Sequence, residues 1–283
     1  MKLLFCSLFS GQVGATANLS AIATSLALNH RFRLFLMQAQ YEKNYLDHGF
    51  LGERQQSLEV QENGIDSLVR MIKSEPITKE MIDSCSVNLY QNRLHILPST
   101  VQNNLAMYET VIQPMLIYCM NAIQAHYDVT CVDLGTVTDW NRNRMLDQAD
   151  VIVLNLSQNH CVLADSFGMN LGNQHKIFYV IGNYDPVSKY NLNYIHKKYK
   201  VPLRRIGILP YNSMYRDACS DGSIVKLMTQ INDSTKDEMN YYFVKELKTT
   251  VDKLLKFSQV PKDIMKSERI EEERSGSLEK EQS

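Results

Sequence analysis

Residues 10–18 read Ser10-Gly11-Gln12-Val13-Gly14-Ala15-Thr16-Ala17-Asn18, and what flanks them decides the fold. Upstream lies an apolar run, Lys2–Phe9, that reads as a buried strand. Downstream, Leu19, Ile22, Ala23 and Leu26 fall at i, i+3, i+4 and i+7, the spacing of one helix face. A strand that turns through glycines into a helix N-terminus can hold phosphate, because the glycines let backbone N–H groups converge and the helix dipole adds partial positive charge. A common phosphate loop, GxxxxGK[ST], adds a lysine on the β- and γ-phosphates and a hydroxyl on Mg²⁺. Counting back from Thr16, Ala15 takes the place of the lysine and Gly14 that of the glycine before it. Any α/β protein also uses such a turn as a plain connection, so the loop by itself leaves both readings open. The dinucleotide fingerprint GxGxxG is absent. The second strand runs into Gln38 and Gln40 and not into an acid for a ribose hydroxyl, which argues against a nicotinamide-dependent oxidoreductase.

Outward from the loop, short apolar runs alternate with amphipathic stretches. Strands are predicted at Lys2–Phe9, Phe32–Met37, Leu94–Leu97, Val129–Asp133, Val151–Leu156, Ile177–Ile181 and Ile206–Leu209. Near-continuous apolar strands separated by helices predict an α/β fold, a mostly parallel twisted sheet with helices on both faces. The Leu3–Phe9 strand is expected at the centre and the loop at the C-terminal edge of the strands, where such sheets place ligands. One helix is expected with Leu116, Cys119, Met120, Ile123 and Tyr127 on its buried face and Pro114 near its start. A last helix, Met239–Phe257, turns Phe243, Leu247, Val251, Leu254 and Leu255 to the core. Residues 1–261 read as one domain. From Lys262 to Ser283 the sequence is charged and poor in large apolar groups, a tail that is expected to stay mobile.

Composition narrows the function classes. Hydrophobic residues make up 44% of the 283, and charged residues 22%, which suits a folded globular chain. Thirty basic residues against 31 acidic ones leave a net charge of −1, with no basic footprint for nucleic acid or an anionic membrane. The Tyr- and Lys-rich stretch 183–200 reads as a helix with a solvated basic face. Six cysteines without a CxxC pair support neither a zinc site nor a disulfide framework, and read as reduced thiols of a cytosolic protein. None of the seven histidines pairs with another at i, i+4, so a helical metal site is not expected. The apolar stretch at the N-terminus is interrupted by Ser7 and reads as a strand, not a secretion signal. No apolar run approaches the ~18 residues of a membrane helix, so no transmembrane segment is expected.

Six motifs in a fixed order resemble the deviant phosphate-loop ATPases of the ParA/MinD family. SGQVGATAN resembles that family's KGGVGKTTxxxN, and FLMQAQ its LLIDxD. YDVTCVDLG resembles the strand YDxxxIDxxxG, whose aspartate supports Mg²⁺. LDQADVIVLNLSQN resembles the segment in which an Ala-Asp pair precedes an apolar strand. YVIGNYDP resembles the strand ending in the Asn that reads adenine, and IGILPYNSMYRDACSDG the segment that closes over the base. The resemblance spans Met1 to Gly222 and implies a phosphate-loop NTPase-like fold and a homodimer. The nucleotide would lie on Gly11, Gln12, Val13, Gly14, Ala15, Thr16 and Ala17, with Asn183, Pro210 and Tyr211 around the base. Thr16 and Asp133 would be the partners of Mg²⁺.

The departures fall on the chemistry. The family has two lysines, one reaching across the dimer and one within the loop, where this sequence has Ser10 and Ala15. Its acidic pair after the second strand is here Gln38 and Gln40. Phosphoryl transfer depends on neutralising the transferring oxygens. A unit charge about 4 Å from phosphate is worth up to roughly 4 kcal/mol at an effective dielectric of ~20. Glutamine can orient a water but cannot take its proton as a carboxylate does. The pattern reads as a pseudo-ATPase that binds ATP or ADP and Mg²⁺ weakly or not at all, with Glu42 the nearest acid that could stand in. NGIDSLVRMIKSEPIT and NRLHILPST also resemble the ATPase-like accessory proteins of tight-adherence (Flp) pilus assembly. That likeness implies a cytoplasmic localisation or assembly scaffold with pilus or secretion components as protein partners, peripheral to the membrane through a partner. An active ATPase with atypical residues and a DNA-partitioning regulator are the competing readings.

Overall fold

The computed structural model describes residues 1–41, 45–53, 63–72, 76–101, 104–138, 144–169, 171–233 and 238–259. The first apolar run forms β1 (Lys2–Ser7), two residues shorter than expected because the chain leaves the sheet at Ser7 to enter the glycine loop. It is followed by β2 (Leu34–Gln38), β3 (Val87–Tyr90), β4 (Leu94–Leu97), β5 (Val129–Thr136), β6 (Val151–Leu156), β7 (Ile177–Tyr184) and β8 (Ile206–Pro210). They make one sheet in the order β3-β4-β2-β5-β1-β6-β7-β8, with β1 interior between β5 and β6. Every pairing is parallel except β3 with β4. The expected parallel sheet with a central first strand is therefore present.

Strand β3 lies outside the sequence expectation. Its residues are half-buried or exposed and carry Asn88, so no apolar run announces it. It is held instead by a tight hairpin, in which Gln91 and Asn92 take φ of 43° and 54°. That left-handed pair matches the twist of two antiparallel strands.

Helices α1 (Ala15–Asn29), α2 (Tyr45–Leu51), α3 (Ile65–Ile72), α4 (Lys79–Cys85), α5 (Leu116–Gln124), α6 (Arg144–Asp147), α7 (His160–Gly168), α8 (Leu192–Tyr199), α9 (Ser213–Asp221), α10 (Ile224–Ile231) and α11 (Glu238–Phe257) cover the sheet. Alternate residues of β1 serve two cores, because the strand is covered on both faces. Leu3 and Phe5 pack with Leu19, Ile22 and Leu26 of α1, Phe50 of α2, Ile224 of α10 and Phe243 of α11. Leu4 and Cys6 pack with Leu68 of α3, Ile82 of α4, Cys119 and Ile123 of α5, Val162 of α7 and Ile195 of α8. The apolar stripes read from the sequence are buried in α1, α5 and α11, while Tyr127 is buried beyond the end of α5. Cys6, Cys85, Cys119 and Cys131 are buried, Cys219 is half-buried and Cys161 exposed, all as free thiols. Among the described residues no helix is long and apolar enough to cross a membrane. Residues 262–283 and Glu42 lie outside the described residues.

The edge strand β8 is closed by side chains of α11. Thr250 Oγ1 accepts from Ile208 N and donates to Ile208 O, both at 2.9 Å, and Lys253 Nζ donates to Ile206 O at 3.0 Å. These backbone groups have no further strand to pair with, and an unmade buried bond costs about 1–3 kcal/mol. Thr250→Val keeps the shape and removes both bonds. Urea denaturation is expected to show a loss of about 2–3 kcal/mol, against less than about 1 kcal/mol for Thr249→Val, whose hydroxyl bonds within its own exposed helix face.

Candidate functional site

The chain leaves β1 and must reverse into α1 within a few residues. Gly11 and Gly14 do this at φ of 70° and 65°, left-handed values that other residues adopt only at a cost. A Cβ at either position would meet nothing within 4 Å, so the dihedral and not crowding calls for glycine. Gly14 is the N-cap of α1 and offers no capping side chain, which leaves the N–H groups of the first turn facing outward.

A buried amide relay fixes this turn. Asn18 Nδ2 donates to Asn155 Oδ1 at 2.9 Å and to Val13 O at 3.3 Å, while Asn155 Nδ2 donates to Cys6 O and Val153 O. Thr16 Oγ1 donates to Asp133 Oδ2 at 2.6 Å, and Gly135 N donates to Asp133 Oδ1 at 2.9 Å. Asp133 is wholly buried, and burial raises its carboxyl above the ordinary range.

The loop opens onto a cavity of about 1040 Å³ between β1, β5, α1, α2 and α9. Of the residues expected at a nucleotide, Ser10, Gly11, Val13, Gly14, Ala15, Thr16, Ala17 and Gln40 line it. Gln12 is exposed outside it. Asp133 and Gln38 are buried behind the lining, Gln38 with its Nε2 3.4 Å from Gln40 O. The Gln40 amide lies against Gly135, where an added Cβ would fall 1.6 Å from Oε1. Asn183, Pro210 and Tyr211 are not brought into this cavity. Asn183 is exposed at φ 48°, Pro210 is buried at the end of β8, and Tyr211 is about half exposed.

In their place the far wall is made by His48 and Gly49 of α2 and by Arg216, Cys219 and Ser220 of α9. The α9 residues fall within the quoted segment IGILPYNSMYRDACSDG, but no pattern within it singles them out. Tyr215 Oη donates to Ala17 O at 2.7 Å and so docks α9 on the first turn of α1. His48 Nε2 lies 2.6 Å from Ser220 O and joins α2 to α9. Among the described residues, the lining holds no lysine and no carboxylate. Among the described residues no cluster of three or more His, Cys, Asp or Glu could hold a metal by itself.

Solved structures repeat this arrangement of sheet and helices. A ParA family ATPase from Chlorobium tepidum TLS matches with a TM-score of 0.68 and 14% identity, over 90% of this chain and 97% of its own. The chain has the fold of that ATPase. The septum site-determining protein MinD from Pyrococcus horikoshii OT3, complexed with Mg-ADP, matches at 0.58 and 14%, over 91% and 99%. A chain of the MinC:MinD cell division protein complex of Aquifex aeolicus matches at 0.58 and 15%, over 90% and 96%. No protein-family model and no curated protein matches the sequence.

Two carboxylates hold the segment 99–101, whose Thr100 lines the cavity. Asp47, wholly buried in α2, accepts from Ser99 N at 2.7 Å; Asp66 accepts from Val101 N and from the hydroxyl of Thr100, which lines the cavity. Burial pushes the Asp47 carboxyl up to about 7. An acid whose folded value lies above its ordinary one binds its proton more tightly in the folded state. Its stabilisation is whole below about pH 4 and is lost as pH rises to about 7. Chemical denaturation between pH 4 and 8 is expected to show a decline of up to about 1.4 kcal/mol per pH unit from this group, and Asp47→Asn is expected to flatten it.

Proposed function

We propose that this chain is a degenerate ParA/MinD-like protein, a nucleotide-responsive scaffold and not a working ATPase. The observation that carries the reading is the lining of the cavity, where among the described residues neither a lysine nor a carboxylate stands at the glycine loop. The loop retains its outward N–H groups, and Thr16 retains its hydroxyl beside Asp133. These parts suit a nucleoside phosphate and a Mg²⁺ ion held through Thr16, with Asp133 behind it. Mg²⁺ bound there would neutralise charge between the β- and γ-phosphates. Ser10 and Ala15 bring no cation to the transferring oxygens. Gln38 and Gln40 can orient a water and cannot accept its proton.

A protein that binds without turnover acts through what its bound state recruits. Pyrococcus MinD is known with Mg-ADP, and Aquifex MinD with the protein MinC. By that analogy ATP or ADP biases this chain towards a homodimer that docks a protein partner. The resemblance of residues 63–78 and 92–100 to pilus accessory proteins makes pilus or secretion components the first partners to test. The near-zero net charge argues against DNA as the partner. The reading places the scaffold in the cytoplasm, at a membrane only through that partner.

Purified protein with millimolar ATP and Mg²⁺ is expected to release phosphate no faster than buffer. Turnover above buffer that disappears in Asp133→Ala contradicts the reading and makes the chain an ATPase with atypical residues.

A further inference from the structure

We infer that Arg216 supplies the positive charge that the glycine loop lacks, gripping the phosphates of a bound nucleotide from the opposite wall of the cavity. This rests on the reading of the cavity as a nucleotide site. Among the described residues of the lining, Arg216 is the lone Lys or Arg, and none of them is a carboxylate that would compete with a ligand's phosphates.

The placement follows from the local sequence. Asn212 caps α9 by accepting from Tyr215 N at 2.8 Å, and its Nδ2 donates to Asn240 Oδ1 of α11 in the core. Tyr215 then reaches the first turn of α1 through Ala17 O. With one neighbour fixed to the turn that begins at the loop, Arg216 is carried to the mouth of the cavity.

Its head group is held loosely. The guanidinium carbon lies 5.6 Å from the centroid of the Tyr211 ring, and Nη2 lies 3.5 Å from Asp217 Oδ1, with both side chains about two-thirds exposed. An exposed pair of this kind is weak. A phosphate, which guanidinium grips bidentately, can displace it. Tyr211 gains a role here as the ring beneath that guanidinium and not as a wall of the cavity. A lysine in the loop would meet the phosphates at the helix N-terminus, whereas Arg216 meets them from α9. The charge can hold a ligand there without being placed on the transferring oxygens.

The test titrates ATP, ADP, AMP and adenosine into wild type, Arg216→Gln and Arg216→Lys by ligand-observed NMR. In Arg216→Gln, ATP and ADP are expected to bind about tenfold more weakly, with adenosine within twofold of wild type. Arg216→Lys is expected to recover part of the loss. Equal ATP affinity in wild type and Arg216→Gln overturns the assignment of Arg216 and leaves the nucleotide site standing. Adenosine weakened as much as ATP also overturns it, because the residue then shapes the wall. A wild type that binds none of the four ligands overturns the nucleotide reading itself.

Discussion

The hydrogen bond from Thr16 to Asp133 ties the first turn of α1 to the end of β5, and the rest of the site is placed from it. Asp133 is wholly buried, so its carboxyl persists only with donors on both oxygens, and Gly135 N supplies the second. The donor positions then fix the loop. Thr16 must open α1, Gly14 must turn left-handed before it, and Gly135 must remain without a side chain so that Gln40 can lie against it. The Asn18–Asn155 amide pair locks the same turn to β6 from the other side. Two polar contacts thus hold the loop.

This frame gives the loop the geometry of a phosphate-binding turn, to which Ser10 and Ala15 bring no charge. Backbone N–H groups at a helix N-terminus depend on φ, ψ and the strand before them, and Gly11 and Gly14 preserve both. Lysine and aspartate side chains are separate from that frame. On the proposed reading, Ser10, Ala15, Gln38 and Gln40 stand where the ParA/MinD motifs carry lysines and acids, and the chain lacks the means to stabilise a transferring phosphoryl group. The joined elements α2 and α9, held by His48 against Ser220 O, form a wall that a ligand at the loop would touch.

Much of this was legible in the sequence because it rests on local patterns. Continuous apolar runs marked seven of the eight strands, since a strand covered on both faces has no polar side to interrupt it. Strand β3 was hidden because it sits at the sheet edge and is held by the turn at Gln91 and Asn92, not by burial. The loop was legible as spacing, and its partner Asp133 through the resemblance of YDVTCVDLG to a ParA/MinD motif. The far wall was not, because Arg216, His48 and Cys219 meet the loop only through tertiary docking by Tyr215, and no periodicity encodes which side of α9 that docking presents. The same limit applies to Asp47, whose burial follows from a contact with Ser99 more than fifty residues away.

On the proposed reading the loop keeps its amide cradle and lacks the lysine's charge. Calorimetric titration of ATP with Mg²⁺ into wild type and Ala15→Lys checks this, because the lysine is placed in a loop already in position. Dissociation constants are expected to be about millimolar for wild type and at least about tenfold tighter for Ala15→Lys, the gain expected of one restored phosphate contact. Absence of binding in both proteins would contradict it and show that the cavity has been abandoned as a nucleotide site.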